Sequence, residues 1–490
     1  MMKVMFLQPN LGAWSTWGKH RAPNIGQAQI AALLRQKHPE YALQVLDCRA
    51  WEMSNEQMLE EIGKARPDII HIGDILHTTG GAAVVYRYNQ AAKLVKEKYP
   101  EITIIAGGLV YASAPRQILR RNPWIDYCLV GEQDISFVEL VEAIASGREV
   151  KEVKGLAFRE GEEIVLTSYR GLIKNLDELP MPAYDLFPME KYVGHDYWKH
   201  YTETWNSRGC PAGCNFCYEW SQFDSRGNAD LRFFRARSGK LVADELELLH
   251  DKFGVKVVTM MDDCFNVSRQ RMEEFIEDMI KRGLSKKVSW CFLGRAPYYL
   301  RDVDLFPKMK EAGCFLALAG IEVATDEELE ELGKGITVEQ VEETVAKLKE
   351  AGIATVLTWM MGFENDDEYR IKKRFEAVDR IDPDICALQY LTPMPGSPIW
   401  PKYVERGWVK FDDLKTWDFH HPVVPTEHLS QEAIGRLGAW ALREFYSKPG
   451  RVERILHNRI YHPLVGLCFR SYMENMSRFE KASQTDELYV

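Results

Sequence analysis

Residues 207–218 read Ser207-Arg208-Gly209-Cys210-Pro211-Ala212-Gly213-Cys214-Asn215-Phe216-Cys217-Tyr218, which places three cysteines within eight residues. They follow directly on Glu203–Ser207, a run that reads as a β-strand. Thiolates are the usual ligands of iron–sulfur clusters, and three on one tight loop can hold three corners of a 4Fe–4S cube with the fourth iron open. Gly209, Pro211 and Gly213 suit a loop that wraps closely and lends backbone N–H groups to sulfur. Structural zinc normally takes four protein ligands. No fourth Cys or His is adjacent, and Glu219 would be an unusual partner for three thiolates. Cys210, Cys214 and Cys217 are therefore the expected metal ligands, with zinc as the alternative.

Downstream of this loop, short apolar runs alternate with amphipathic stretches. Strands are expected at Val255–Met261, Val288–Leu293, Phe315–Ala319, Ala354–Met361 and Ile385–Leu391, with helices such as Gly239–Lys252, Met272–Arg282, Val338–Glu350 and Glu368–Arg380 between them. Six such units predict a partial TIM-type βα barrel over residues 201–397, with its site at the carboxyl ends of the strands. Cys264, Cys291 and Cys314 fall at or near barrel strands. They read as small buried hydrophobes, with a second cluster or a catalytic thiol as the alternative.

Upstream, residues 1–150 repeat the strand–helix alternation five times, with Val/Ile/Leu-rich strands at Lys3–Gln8, Ala42–Asp47, Asp68–Ile72, Ile102–Ala106 and Tyr127–Val130. Near-continuous apolar strands between helices predict a doubly wound (Rossmann-like) parallel sheet. Residues 151–200 read as a hairpin around Glu160-Gly161-Glu162 and then a proline-bearing linker. Residues 398–490 are rich in Trp, Tyr, His and Arg and read as mainly helical. The fold class is α/β throughout, with that helical C-terminal region.

The chain has 490 residues and a net charge of -10. Acidity argues against a nucleic-acid partner, since phosphate binding needs a basic face. No stretch approaches the ~20 apolar residues of a transmembrane helix, and Met1–Asn10 is too short an apolar run for a signal peptide. A cytoplasmic protein is expected, with its cysteines mostly reduced. Arg226, Arg232, Arg235 and Arg237, interleaved with Phe223, Phe233 and Phe234, read either as a clamp for a carboxylate or phosphate or as a solvated loop. Arg451–Phe479 mixes Arg with apolar residues and reads as packing on the barrel, or as a membrane-surface contact for a lipid substrate. Arg295, after the third barrel strand, would face a cofactor carboxylate or substrate, or form a structural ion pair.

The cysteine loop resembles the signature of the radical S-adenosylmethionine superfamily, C-x3-C-x-aromatic-C, with Phe216 in the aromatic position. The resemblance implies that S-adenosylmethionine chelates the open iron and is cleaved by one electron to a 5′-deoxyadenosyl radical, supplied by flavodoxin or ferredoxin. It places Glu322 of Gly320-Ile321-Glu322 on the ribose and Asp262 of Met261-Asp262-Asp263-Cys264-Phe265 near the methionine amino group. Gly362-Phe363-Glu364-Asn365-Asp366 is similar to the family's Gly-Phe-Pro-x-Glu turn, but has Glu364 for the Pro and Asp366 for the Glu.

The first domain is similar to the cobalamin-binding domain of the class that includes anaerobic Mg-protoporphyrin ester cyclases and C-methyltransferases. Gly107-Gly108, Gly131-Glu132 and the segment Leu391–Trp400 carry this likeness. It implies cobalamin on the strand ends, approached by Gly73, Thr78, Thr79, Gly80, Gly107 and Gly108, residues that would equally suit tight turns. The corrinoid motif D-x-H-x-x-G is missing from Asn10–His20. Asp74–Gly80 looks similar but has one residue too many, so His77 reads as a loop residue lining the crevice. The implied activity is C-methylation of an unactivated carbon in a small-molecule, lipid or peptide substrate, with cobalamin-dependent cyclisation or rearrangement as the alternative. A methylthiotransferase or a non-catalytic metal protein fits less well, because only Cys48 and Cys128 precede the barrel.

Overall fold

The computed structural model describes residues 1–11, 18–73, 81–222, 234–409, 414–457 and 461–482. Thr78, His77 and the aromatic–arginine stretch 223–233 lie outside the described residues.

The first sheet takes β1 (Lys3–Gln8), β2 (Ala42–Asp47), β3 (Ile69–Gly73), β4 (Thr103–Gly107) and β5 (Tyr127–Leu129) in the order β2-β1-β3-β4-β5, all parallel. The hairpin expected near residue 161 is present as β6 (Leu156–Glu160) and β7 (Glu163–Leu166). It extends the sheet antiparallel from β5. Helices α1 (Ile25–Lys37) and α6 (Gln133–Ser146) cover one face through Ile30, Leu34, Phe137 and Leu140. The other face is covered by α2 (Asn55–Ala65), α3 (Ala83–Lys98), α4 (Leu109–Ser113) and α5 (Pro115–Arg121). Every residue of β3 is buried, which is why its sequence shows no polar alternation. The strand order reverses between β1 and β3, the place where open α/β sheets bind ligands beyond their carboxyl ends.

After a small hairpin of β8 (Val193–Gly194) and β9 (Trp198–Lys199), the second sheet begins at β10 (Tyr201–Thr204). An antiparallel ribbon of β11 (Ser207–Arg208) and β12 (Arg235–Ala236) brackets the cysteine loop. Then come α7 (Gly239–Phe253), β13 (Val257–Met260), α8 (Arg269–Lys281), β14 (Ser289–Leu293), α9 (Ala296–Arg301), α10 (Phe306–Glu311), β15 (Cys314–Glu322), α11 (Asp326–Glu331), α12 (Val338–Glu350), β16 (Ala354–Met361), α13 (Glu368–Ile381) and β17 (Ile385–Tyr390). The six strands pair in parallel in the order β10-β13-β14-β15-β16-β17, an open partial barrel. The C-terminal region adds α14 (Trp400–Glu405), α15 (Gln431–Tyr446), α16 (Pro449–His457) and α17 (Pro463–Ala482). Cys468, Phe469 and Tyr472 of α17 are buried in the barrel's core, so this stretch packs on the barrel. No described helix is long and apolar enough to cross a membrane.

The two sheets are held edge to mouth by buried ion pairs. Arg208 of β11 donates to both carboxylate oxygens of Asp134, at the start of α6, at 2.8 and 2.9 Å. Arg235 of β12 donates to Glu132 at 2.7 Å, and Glu132 also accepts the Ile173 N–H at 2.7 Å. Arg237 reaches Gln29 of α1 at 3.1 Å and the Pro180 carbonyl at 2.8 Å. Arg235 and Arg237 thus find their acceptors inside the chain, as braces of the ribbon rather than as a solvated loop or a substrate clamp. Burial alone would raise the Asp134 carboxyl, but the Arg208 charge and its two hydrogen bonds hold it below the ordinary value.

Asp134→Asn leaves Arg208 buried beside a neutral amide, and breaking a buried pair in this way costs about 3–5 kcal/mol. We expect a lower thermal midpoint at neutral pH. Because the folded carboxyl titrates below its unfolded value of about 3.9, the wild-type contribution is complete above that pH and fades on acidification. The gap between the two proteins should narrow as pH falls below about 4, measured by thermal melts across pH.

Candidate functional site

The cysteine loop leaves the ribbon at Gly209, whose φ of +81° suits glycine. Backbone N–H groups already serve it: the Glu219 N–H donates to Cys217 Sγ at 3.4 Å, and the Asn215 N–H donates to the Leu332 carbonyl at 2.9 Å. A Cβ on Gly333 would fall 2.7 Å from the Gly213 carbonyl, so the loop rests directly on the turn after α11. Arg295 Nη1 donates to Cys214 Sγ at 3.7 Å. The thiol of Cys264 lies within hydrogen-bonding reach of Cys210 and lowers its pKa, whereas burial raises Cys217. Among the described residues, no three His, Cys, Asp or Glu side chains converge closely enough to hold a single ion. A cubane asks for a different set, one thiolate at each of three iron corners, and its binding displaces the thiol protons. Three thiols on a loop with N–H groups directed at sulfur fit that group. Cys264, Cys291 and Cys314 are all buried.

Around the loop, the strand ends supply charged groups with incomplete partners. Asp262 points away from the lumen, 3.3 Å from Arg271 of α8 and 3.3 Å from the Asn206 N–H. Its neighbour Asp263 is turned the other way, close enough to Cys210 and Tyr218 to act on their titration. Both its carboxylate oxygens are buried without a hydrogen-bond partner. Glu322, held at φ +69°, accepts from Lys334 Nζ at 2.9 Å and Thr358 Oγ1 at 3.1 Å through one oxygen, while its other oxygen is buried without a partner. Lys334 is buried yet kept charged, because Glu322 and Cys214 outweigh the desolvation. Arg295 also donates to the Lys334 carbonyl. Buried polar atoms are almost always paired, so the three orphaned carboxylate oxygens of Asp263 and Glu322 mark a ligand with donors to offer. S-adenosylmethionine, with an ammonium group and ribose hydroxyls, has those donors.

Phe216 packs edge-on against Phe363, ring centroids 6.0 Å apart. The turn after β16 is closed by Asp366, whose Oδ2 accepts the Gly362 and Phe363 N–H groups at 2.8 and 3.1 Å and which is paired with buried Arg374. The shorter acid thus still closes the turn. Glu364 pairs with Lys402 and Arg406 at the surface. One group had no sequence signal at all. Asp418 accepts from His421 Nδ1 at 2.9 Å, and His421 Nε2 is buried with no partner. This pair lies on the turn whose Phe419 carbonyl accepts the Tyr390 N–H at the end of β17.

Between the barrel mouth and the first sheet lies a cavity open to solvent. Asn24, Gly26, Gly108 and Gly131 line it from the sheet, and Glu203, Arg208 and Met261 from the barrel. Gly108 has φ +117°, which requires glycine, and presents bare backbone to the cavity. A Cβ on Gly107 would fall 2.0 Å from Gln133 Oε1, so that residue's smallness already serves packing within the domain. A wide, glycine-floored space beyond the strand ends fits a flat macrocycle.

Two family models match the chain: the radical SAM superfamily over residues 207–374 and the B12 binding domain over residues 18–141. An uncharacterized methyltransferase of Pyrococcus horikoshii is 29% identical over 450 residues, covering 92% of this chain and 93% of the relative. The anaerobic magnesium-protoporphyrin IX monomethyl ester cyclase of Cereibacter sphaeroides is 27% identical, covering 91% of this chain and 71% of its own. The cobalamin-dependent S-adenosylmethionine radical enzyme OxsB, solved with aqua-cobalamin and S-adenosylmethionine, shares the fold at a TM-score of 0.70 and 17% identity, over 99% of this chain and 72% of that one. The first match contains the cysteine loop and four of the partial barrel's six strands, and the second contains the glycine-floored strand ends. The chain is a radical S-adenosylmethionine enzyme that carries a B12-binding domain ahead of its barrel.

Proposed function

We propose that the enzyme transfers a methyl group to an unactivated carbon, using S-adenosylmethionine both as radical source and as methyl source. The observation that carries this reading is the shared cavity: Met261, two residues before Asp263, lines the same space as Gly108 and Gly131 of the B12-binding domain. When bound, the cluster, S-adenosylmethionine and cobalamin supply a carbon-centred radical and a transferable methyl group. The chain's own residues bind, orient and exclude water. Cys210, Cys214 and Cys217 hold the cluster, with Phe216 packing the loop down. Asp263 takes the ammonium of S-adenosylmethionine, which the sequence pattern gave to Asp262. Glu322 takes a ribose hydroxyl and is fixed by Lys334 and Thr358. Arg295, cationic beside Cys214, takes a carboxylate. Gly107 and Gly108 border the corrin. A flavodoxin or ferredoxin class of reductant delivers the electrons, and the substrate is a small molecule, a lipid or a peptide. The domain division proposed is 1–150, 151–200, 201–397 and 398–490. Cyclisation, the activity in the name of the Cereibacter relative, is the second reading.

Anaerobic reconstitution with iron, sulfide and hydroxocobalamin, followed by turnover with methyl-labelled S-adenosylmethionine and a low-potential reductant, separates the two. Methyl transfer yields 5′-deoxyadenosine and S-adenosylhomocysteine together, in equal amounts during steady turnover. Cyclisation yields 5′-deoxyadenosine without S-adenosylhomocysteine, and that result would retire the proposal.

Two variants probe the assignments. Alanine at any one of the three loop cysteines should remove most of the iron while leaving corrin content unchanged, read by metal analysis and visible spectrum. Asp263→Asn should keep the iron but weaken S-adenosylmethionine binding roughly tenfold to a hundredfold, the worth of one charge-assisted hydrogen bond at about 1.5–3 kcal/mol. Asp262→Asn should instead act on stability through Arg271, with little change in affinity per folded molecule.

A further inference from the structure

A second, smaller chamber lies inside the barrel, below the layer of Asp263, Arg295 and Glu322. The chamber is lined lower on the same strands that carry these groups at or just past their carboxyl ends. Met261 is two below Asp263, Leu293 two below Arg295, and Leu318 four below Glu322, and all three line the chamber. Leu316, Val356 and Tyr472 of α17 complete its apolar wall. Met261 also lines the cavity between the domains, so the two spaces meet at its side chain.

The chamber's polar edge is already spoken for. Cys291 Sγ is 3.2 Å from Thr259 Oγ1, Thr259 Oγ1 is 3.0 Å from the Tyr201 hydroxyl, and Tyr201 donates to Glu203 Oε1 at 3.0 Å. His20 joins from the far side. Its Nδ1 accepts the His195 N–H at 3.3 Å, so its proton is on Nε2, which donates to Glu203 at 2.8 Å. The Tyr201 hydroxyl stands within reach of both Thr259 and Glu203, Thr259 and Cys291 bond to one another, and His20 donates to the carboxylate. Burial pushes the Cys291 thiol up to about 12, and Tyr201 is raised as well, so both keep their protons. Glu203 itself borders the other cavity. What Thr259 and Cys291 present to the chamber is therefore neutral and hydrogen-bonded to one another.

The geometry points to the chamber as the binding site for an alkyl or alicyclic portion of the substrate, inserted past Met261 beneath the cofactor layer. Such a group needs no hydrogen bond and gains by leaving water. A polar or ionised group there would meet a wall made chiefly of Met261, Phe292, Leu293, Leu316, Leu318 and Val356, which offers few hydrogen-bond partners. The assignment deepens the methyl-transfer reading, because a saturated carbon held under the radical source is the substrate that reading requires. The chamber's occupancy can nonetheless be tested without turnover.

The test uses the full reconstituted enzyme with S-adenosylhomocysteine present, and cyclopentylmethanol and cyclohexylmethanol as probes read by ligand-observed NMR. Both alcohols should bind, and the added methylene should tighten binding about fourfold. Two fillers from different strands, Val356→Phe and Leu318→Trp, should each weaken binding at least tenfold, with iron and corrin content serving as the folding control. If one filler fails that control, the other decides. No binding by the native enzyme, or binding that both folded fillers leave unchanged, overturns the assignment and makes the chamber a packing defect. A chain that binds the probes in this pattern but takes up neither iron nor corrin would keep the chamber and remove the methyl-transfer reading.

Discussion

The pairing of Arg208 and Arg235 with Asp134 and Glu132 is the constraint on which the rest depends. These arginines flank the cysteine loop on β11 and β12, and their carboxylate partners lie where β5 passes into α6. A loop of this kind has little core of its own. Its position is set by the two strands that enter and leave it, and those strands are fixed to the first domain by buried charge. A bidentate arginine–carboxylate pair specifies orientation as well as distance. The same four residues therefore fix the distance between the cluster ligands and the glycine-floored strand ends. A radical reaction shared between two cofactors needs that distance to be reproducible.

The barrel then divides into levels. At the top are charged groups, Asp263, Arg295, Glu322 and Lys334, some with buried oxygens that nothing in the chain satisfies. Below them the wall turns apolar. Buried carboxylates with unmet valences are costly in a finished core and make sense where a ligand completes them. Glu322 adds backbone strain to this, as a non-glycine residue at φ +69°, and strain of that kind collects at ligand sites. The cost is borne locally by the Lys334 and Thr358 hydrogen bonds.

Much of this was legible in the chain, for physical reasons that can be traced residue by residue. The strand Ala354–Met361 is found with the bounds expected of it, because an apolar run of that length between two capped helices has no other reading. The three cysteines announced themselves by spacing alone. The choice between Asp262 and Asp263 was not legible. The run Val257-Val258-Thr259-Met260-Met261 is buried on both sides of the strand, so it carries no polar alternation to say which face looks inward. Only the register with β14, and Arg271 waiting on α8, sends Asp262 outward. The short pairings β8–β9 and β11–β12 have two residues per strand, too few for any periodicity to appear. Asp418 and His421 lie three apart in a turn, where no period operates. The arginines of the ribbon looked like a cationic patch because their acidic partners are about 75 to 100 positions earlier in the chain.

The two levels of the barrel also explain each other. A carbon-centred radical reacts with whatever hydrogen lies nearest, so a site that makes one must keep water and stray donors out and hold a single C–H in reach. Polar groups on the wall below would work against this unless each were tied to another. The chain Cys291–Thr259–Tyr201–Glu203–His20 does that tying, and its carboxylate member borders the interdomain cavity. The barrel can thus be polar where cofactors need donors and acceptors and inert where a substrate carbon would wait. Neither property is visible from any single strand, since β13, β14 and β15 each contribute to both levels and the division appears only when the strands are brought into register.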